Sequence, residues 1–371
     1  MRDPARWTRA DLDRLVEDPA TTAPVLGPST PRVLPHHDIW DMWPVQEEDG
    51  STTAVLGEEL WMALSAPAAG HPEERHDRAR VRLLGRTAER WRDLGDVFAE
   101  ATSLGSREWS GSAVRRPDGT VSVFYTAAGD RGEARPTFRQ RVVEARPRLG
   151  VVDGAVRLDR HAEHRVVLRP DGRYLSADDV AGGPGRIRAF RDPGWFRDPA
   201  DGHEYLLVAA SVPWRDRFMG AIALAHATGA GWQLLPPLVV ADGVNHELER
   251  PHIVVHESRY YLFFCTSSRV FHPAGHAPTG LYGFVAPAPA GPYEPLNGSG
   301  LVIRNPPARP NQAYAWLVLP DLRVESFVDY PIAAGGDPRS SAPKAARACF
   351  GGTAAPTLDL VLHGTSTALV R

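Results

Sequence analysis

Short runs of apolar, β-branched and aromatic residues recur along the chain between turn signals. Residues 60–64, 121–125, 205–208, 260–264 and 317–319 are five such runs, with Pro117-Asp118-Gly119 and Asp201-Gly202 as turns ahead of the second and third. These runs do not alternate with helical stretches, so the pattern predicts an all-β fold. One short helix is expected near the N-terminus. Thr8 precedes residues 9–16, an acid follows three residues after the hydroxyl, and Trp7 is placed to pack on Leu12.

Polar or charged clusters interrupt the pattern at intervals of roughly 55–85 residues, each leading into a hairpin. They are Trp40-Asp41, Trp109-Ser110-Gly111, Arg191-Asp192-Pro193, Glu249-Arg250-Pro251 and Asn311-Gln312-Ala313-Tyr314. Five leaders predict the five blades of a β-propeller, whose innermost strands would gather residues distant in sequence into one central pocket. A β-sandwich is the alternative. No break in composition resembles a domain linker, so residues 1–371 are expected to form one domain, with 1–35 as helix and lead-in.

The densest of the leaders is Asn245-His246-Glu247-Leu248-Glu249-Arg250-Pro251. On an extended chain Glu247 and Glu249 share a face while Leu248 points into the packing. Two carboxyls that close resist ionising together, so one tends to stay protonated, as a general acid must. The plainer reading is a solvated strand end with a surface ion pair to Arg250.

Composition narrows the chemistry. A net charge of −3 argues against nucleic acid or an anionic membrane as a partner and leaves a neutral or small substrate. The two cysteines, Cys265 and Cys349, lack metal-ligand spacing, and the N-terminal stretch lacks the apolar core of a secretory signal. The fourteen histidines include no HExxH, and His246, His252 and His256 fall at mixed spacings, so no metal is expected. Gly182-Gly183-Pro184-Gly185 reads as a turn, because its proline denies the helix start of a phosphate cradle. No ATP, NAD or other cofactor is implied.

What remains is acids beside aromatics. Asp41 lies between the indoles of Trp40 and Trp43, which would desolvate and orient a nucleophile and offer a face to a sugar; a turn aspartate ahead of Pro44 is the plainer alternative. Arg191 beside Asp192 would keep that acid ionised. The similar Arg197-Asp198-Pro199 lies in turn chemistry, so Asp192 is the better site candidate. Ser110 lacks a nucleophile elbow and is expected to contact a sugar instead. Retaining glycosidases need a nucleophilic carboxylate and an acid/base carboxyl about 5–5.5 Å apart, and the chain has candidates for both.

Taken together, Ile39-Trp40-Asp41-Met42-Trp43-Pro44, Glu108-Trp109-Ser110-Gly111-Ser112-Ala113, Phe190-Arg191-Asp192-Pro193 and Glu247-Leu248-Glu249-Arg250-Pro251 resemble glycoside hydrolase family 68, the levansucrases and their relatives. Tyr282-Gly283-Phe284-Val285, residues 296–301 and Glu325-Ser326-Phe327-Val328-Asp329 are also similar to that family. The resemblance implies a five-bladed β-propeller with a funnel-shaped central pocket that cleaves sucrose with retention. Carried over by motif, Asp41 is the nucleophile, Glu249 the acid/base and Asp192 the stabiliser of the transition state. Trp40, Trp109, Ser110, Arg191, Glu247, Arg269 and Tyr314 line the sucrose subsites.

Three departures stand out. His246 occupies the place of a calcium-ligating aspartate, so no calcium site is expected. Arg269 and Trp316 stand where histidines are frequent, which points to an unusual acceptor side. The family is generally extracellular, with some members exported without a cleaved signal, so the compartment stays open. The expected partners are sucrose and a fructosyl acceptor. The alternatives are a mainly hydrolytic β-fructofuranosidase, transfer to a non-sugar acceptor, or an inactive carbohydrate-binding propeller.

Overall fold

The computed structural model describes residues 3–27, 30–88, 90–176, 187–215, 217–332 and 338–370; the turn expected at 182–185 lies outside them. Strands dominate the described residues, and no helix among them is long and apolar enough to cross a membrane. The chain is all-β.

Five antiparallel meanders follow one another. Their opening strands are β1 His37–Gln46, β2 Arg107–Arg115, β3 Phe190–Arg197, β4 Glu249–His256 and β5 Ala313–Val318. The first four hydrophobic runs are the hairpin partners of β1 to β4: Glu58–Pro67, Val121–Ala128, Glu204–Ser211 and Arg259–Thr266. The fifth run falls instead at the end of β5, whose partner is Arg323–Val328. These partner strands are apolar on both faces because each sheet is covered on both sides. Val123 and Tyr125 pack with residues of the first sheet, while Phe124 packs with Trp195 and Leu206 of the third.

The opening strands neighbour one another in a cycle, β1 to β2, β2 to β3, β3 to β4, β4 to β5 and β5 to β1. Each breaks register with its hairpin partner at the corresponding place. The breaks lie at Trp40/Trp43, Trp109/Gly111, Arg191/Gly194, Glu249/His252 and Tyr314/Leu317. Four of these bulges hold a non-glycine residue in the left-handed region: Asp41 at φ 45°, Asp192 at 58°, Arg250 at 53° and Ala315 at 56°. A bulge leaves a residue unpaired and re-aims its side chain, so one device repeated five times turns five residues out of their ladders. The fifth leader therefore centres on Tyr314-Ala315. Gln312, expected within it, instead bonds the lead-in segment at Pro24 O (2.7 Å) and Leu26 N (3.0 Å).

After Thr8 the chain makes a single helical turn, Arg9–Leu12, in which the Thr8 N–H and hydroxyl both donate to the Asp11 carboxylate at 2.8 Å. It stops short of the expected end because Val16 is 69% exposed and finds no face to pack on. Ahead of it, Ala5–Trp7 forms an unexpected strand paired in parallel with Val239–Ala241. Trp7 is buried among Phe264, Phe271, Tyr282 and Phe284, and its indole N–H donates to Ser299 O at 2.9 Å. The first and fifth sheets meet where Ile39 N–H donates to Gly352 O (3.0 Å), and Arg32 and Arg347 clasp the buried Asp38.

Candidate active site

The five bulges bring two sets of side chains together. Trp40, Trp109, Arg191, Glu249 and Tyr314 occupy one position of the five strands, and Asp41, Ser110, Asp192, Arg250 and Ala315 occupy the next.

Arg191 organises the acids. Its Nη2 donates to Glu247 Oε2 at 3.0 Å and to Glu249 Oε1 at 3.1 Å, and its Nε lies 3.7 Å from Asp192 Oδ2. The two glutamates thus share a face and a cation, but the cation is Arg191 and not Arg250. Arg250 is only 6% exposed, so the surface ion pair expected for it does not form. The Tyr314 hydroxyl donates to Glu249 Oε2, and the Ser110 hydroxyl donates to Asp41 Oδ2. That serine, expected to contact a sugar, donates its one hydroxyl proton to Asp41 and keeps its lone pairs as acceptors. Glu247 precedes its strand and is fixed through its N–H, which donates to Asn245 Oδ1 at 2.8 Å.

A run of hydrogen bonds passes through all five opening strands. Ser110 on β2 donates to Asp41 on β1, and Thr126 Oγ1 donates to Ser110 O (3.3 Å) while accepting the N–H of Asp192 on β3 (2.8 Å). The N–H of Arg250 on β4 donates to Asp192 Oδ2 at 3.3 Å. The Arg250 guanidinium then donates to Ala315 O on β5 at 2.6 Å and to Met42 O on β1, which closes the circuit.

Burial sets the electrostatics. Asp41, Asp192 and Glu247 all have their pKa raised, chiefly by desolvation of the charged form. For Asp192 this reverses the expectation from its neighbour. Arg191 does favour the ionised form, but burial, together with the charges of Glu249 and Asp41, outweighs it. Access is uneven, since the side chain of Glu249 is 25% exposed while those of Asp192 and Glu247 are 7% and 8% exposed.

The indoles are held from one short segment, Pro72–Arg78. The Arg75 guanidinium lies over Trp40 at 5.3 Å, and the carbonyl of His76 accepts the Trp109 indole N–H at 3.2 Å. Burial lowers the His76 pKa to about 3, which keeps the ring neutral.

Two expected residues stand apart from the hydrogen-bonded acids. Arg269 is exposed on the turn Ser268–Val270, within electrostatic reach of His76 and Asp329 but without a hydrogen bond to the acids. Trp316 is fully buried among apolar residues such as Cys265 and Val318, so it cannot form an acceptor surface.

His252 is buried. Its Nε2 accepts the Val318 N–H at 3.0 Å, its Nδ1 lies 3.0 Å from Arg250 O, and burial lowers its pKa to about 4. Phe218 lies between His246 and His272, with ring centroids 4.2 and 4.4 Å away. Among the described residues no group of three histidines, cysteines or acids is placed to hold a metal.

Thr126, Arg250, Arg75 and His76 were missed as site residues. Only Arg250, next to the acids and ahead of a proline, carried a local signal.

The chain is similar to known proteins over nearly its whole length. It is 34% identical to the levansucrase LscA of Pseudomonas savastanoi pv. glycinea over 97% of this chain and 93% of the relative. It is 32% identical to the levansucrase of Rahnella aquatilis over 99% and 94%. The structure of an inulosucrase from Halalkalicoccus jeotgali bound to kestose superposes with a TM-score of 0.92 at 38% identity, over 99% of this chain and 95% of that one. That of a levansucrase from Gluconacetobacter diazotrophicus gives 0.83 at 25%, over 99% and 90%. The family model described as Levansucrase/Invertase matches residues 1–218 and 212–371, and the chain belongs to that family, glycoside hydrolase family 68.

Proposed function

We infer that the protein is a sucrose-cleaving fructosyltransferase of the levansucrase type that also hydrolyses sucrose, built as one five-bladed propeller domain around a central pocket. Its main support is the convergence of Asp41, Asp192 and Glu249 from three strands, with Arg191 bridging Asp192 and Glu249 and Asp41 within electrostatic reach of both, in a chain whose relatives are levansucrases and an inulosucrase.

With Oδ2 held by Ser110, Asp41 attacks the fructosyl anomeric carbon through Oδ1, and the bond to the glucosyl oxygen breaks. Glu249, steadied by Tyr314 and Arg191, gives its proton to that oxygen, and glucose leaves. Glu249 then takes a proton from water or a sugar hydroxyl, which attacks the same carbon and breaks the ester to Asp41. Asp192 steadies the oxocarbenium-like transition state of each step, before and after the covalent fructosyl-enzyme. Arg191 Nη1 and Glu247 Oε1 are buried without a protein partner, a polar pair suited to sugar hydroxyls. Trp40, Trp109 and Arg269 complete the sucrose subsites.

Incubation with sucrose tests this, with glucose and free fructose followed separately. Glucose in excess of fructose is the expected result. Equal release would make the enzyme purely hydrolytic, and release of neither would overturn the assignment. Asp41→Ala, Asp192→Asn and Glu249→Gln should each lower kcat by several orders of magnitude while the fold persists. Near-normal turnover in any of them removes that residue from its role.

A further inference from the structure

Arg250 makes three bonds, each to a different opening strand. Its N–H bonds the Asp192 carboxylate on β3, and its guanidinium bonds main-chain carbonyls on β5 and β1, at Ala315 and Met42. The second of these carbonyls belongs to the residue after Asp41. The side chain therefore fixes the bulge that aims Asp41, from a strand 208 residues away in sequence.

Its charge also sets it apart. The Arg191 guanidinium is shared by two carboxylates, Glu247 and Glu249. The described hydrogen bonds of the Arg250 guanidinium go to neutral carbonyls, so no directly bonded carboxylate cancels its charge. The groups that act electrostatically on Asp41 are the cations Arg250 and Arg75, the acids Glu249 and Asp192, and the Ser110 hydroxyl. Of the two cations Arg250 exerts the larger effect. A buried carboxylate must be ionised to attack carbon, and a nearby uncancelled cation favours that form.

We propose that Arg250 is a positioning residue of the cleavage step: it closes the axial hydrogen-bond circuit, aims Asp41 and opposes the protonation that burial favours. The proposal rests on Asp41 being the nucleophile.

The test compares wild type, R250M, R250K and D41N by melting temperature and by the pH profile of kcat/KM for sucrose. Removing the cation raises the Asp41 pKa, so the acid limb of R250M should move to higher pH by about one unit or more. Its kcat near neutrality should fall by about 100-fold with KM little changed. R250K keeps the charge but fits the two carbonyls poorly. Its limb should stay near that of wild type, with kcat reduced by about tenfold. An unmoved limb in R250M while D41N is inactive overturns the proposal alone. Activity in D41N overturns the nucleophile assignment and the proposal with it. Failure of both Arg250 variants to fold assigns the residue to stability and also overturns it.

Discussion

Glu247 and Glu249 share one guanidinium yet live in different surroundings, and the difference has a measurable sign. Glu247 is almost closed from solvent, with Oε1 unpaired, and burial raises its pKa despite the Arg191 contact. For a carboxyl whose folded pKa lies above its unfolded value, the unfolded state ionises first as pH rises. The folded state is then penalised progressively from the unfolded pKa up through the folded one. Glu247→Gln should therefore raise the melting temperature by a few degrees at pH 8 and by much less at pH 4, while raising KM for sucrose. Scanning calorimetry at the two pH values decides it, and a variant less stable than wild type at pH 8 would mean that pairing with Arg191 outweighs burial. The identity of the acids was legible in the sequence because motifs preserve residue type at fixed spacing. The state of Asp192 was not, because a neighbouring arginine is visible in a sequence and desolvation is not. Arg250 misled for the same reason, since an arginine after two acids looks alike whether it pairs with them in water or braces two other strands from inside.

The bulge is the element that converts sheets into a site. The left-handed geometry at Asp41, Asp192, Arg250 and Ala315 is strained for side chains with a Cβ, and such strain collects where function over-determines the backbone. The bulges also need room. A Cβ on Gly194 would lie 2.2 Å from the carbonyl oxygen of Pro251, so the close approach of β3 to β4 requires glycine there. Gly194→Ala should lower the melting temperature by several degrees and cut kcat more than it raises KM, because separating β3 from β4 pulls Asp192 away from the Arg250 N–H. Thermal melts beside steady-state kinetics read both effects, and an unchanged Tm would show that the strands accommodate a methyl. Strand positions were legible from apolar runs. The bulges announced themselves only as polar or charged residues, some beside proline or glycine, in otherwise strand-like sequence. That cue placed four of the five and misplaced the last, where Ala315 is neither polar nor followed by a breaker.

At the scale of the molecule, closure joins segments far apart in sequence. Trp7 packs into the fourth sheet while its own short strand pairs with the edge of the third, and residues 32–39 tie the first sheet to the fifth. Residues 1–35 were legible only as a helix and a lead-in because their partners lie hundreds of residues away, and contacts at that separation leave no periodic trace in a sequence. The hydrogen-bond circuit through the five opening strands has one further consequence, which concerns time. Its closing link joins Met42 to Arg250, so it can form only after β1 and β4 are both in place. Contacts of such long sequence separation form slowly and late. During refolding from denaturant, the strand signal in far-ultraviolet circular dichroism should return before sucrose cleavage does, leaving a transient, well-paired and inert chain. Coincident recovery of both signals would mean that the meanders do not form independently of the ring.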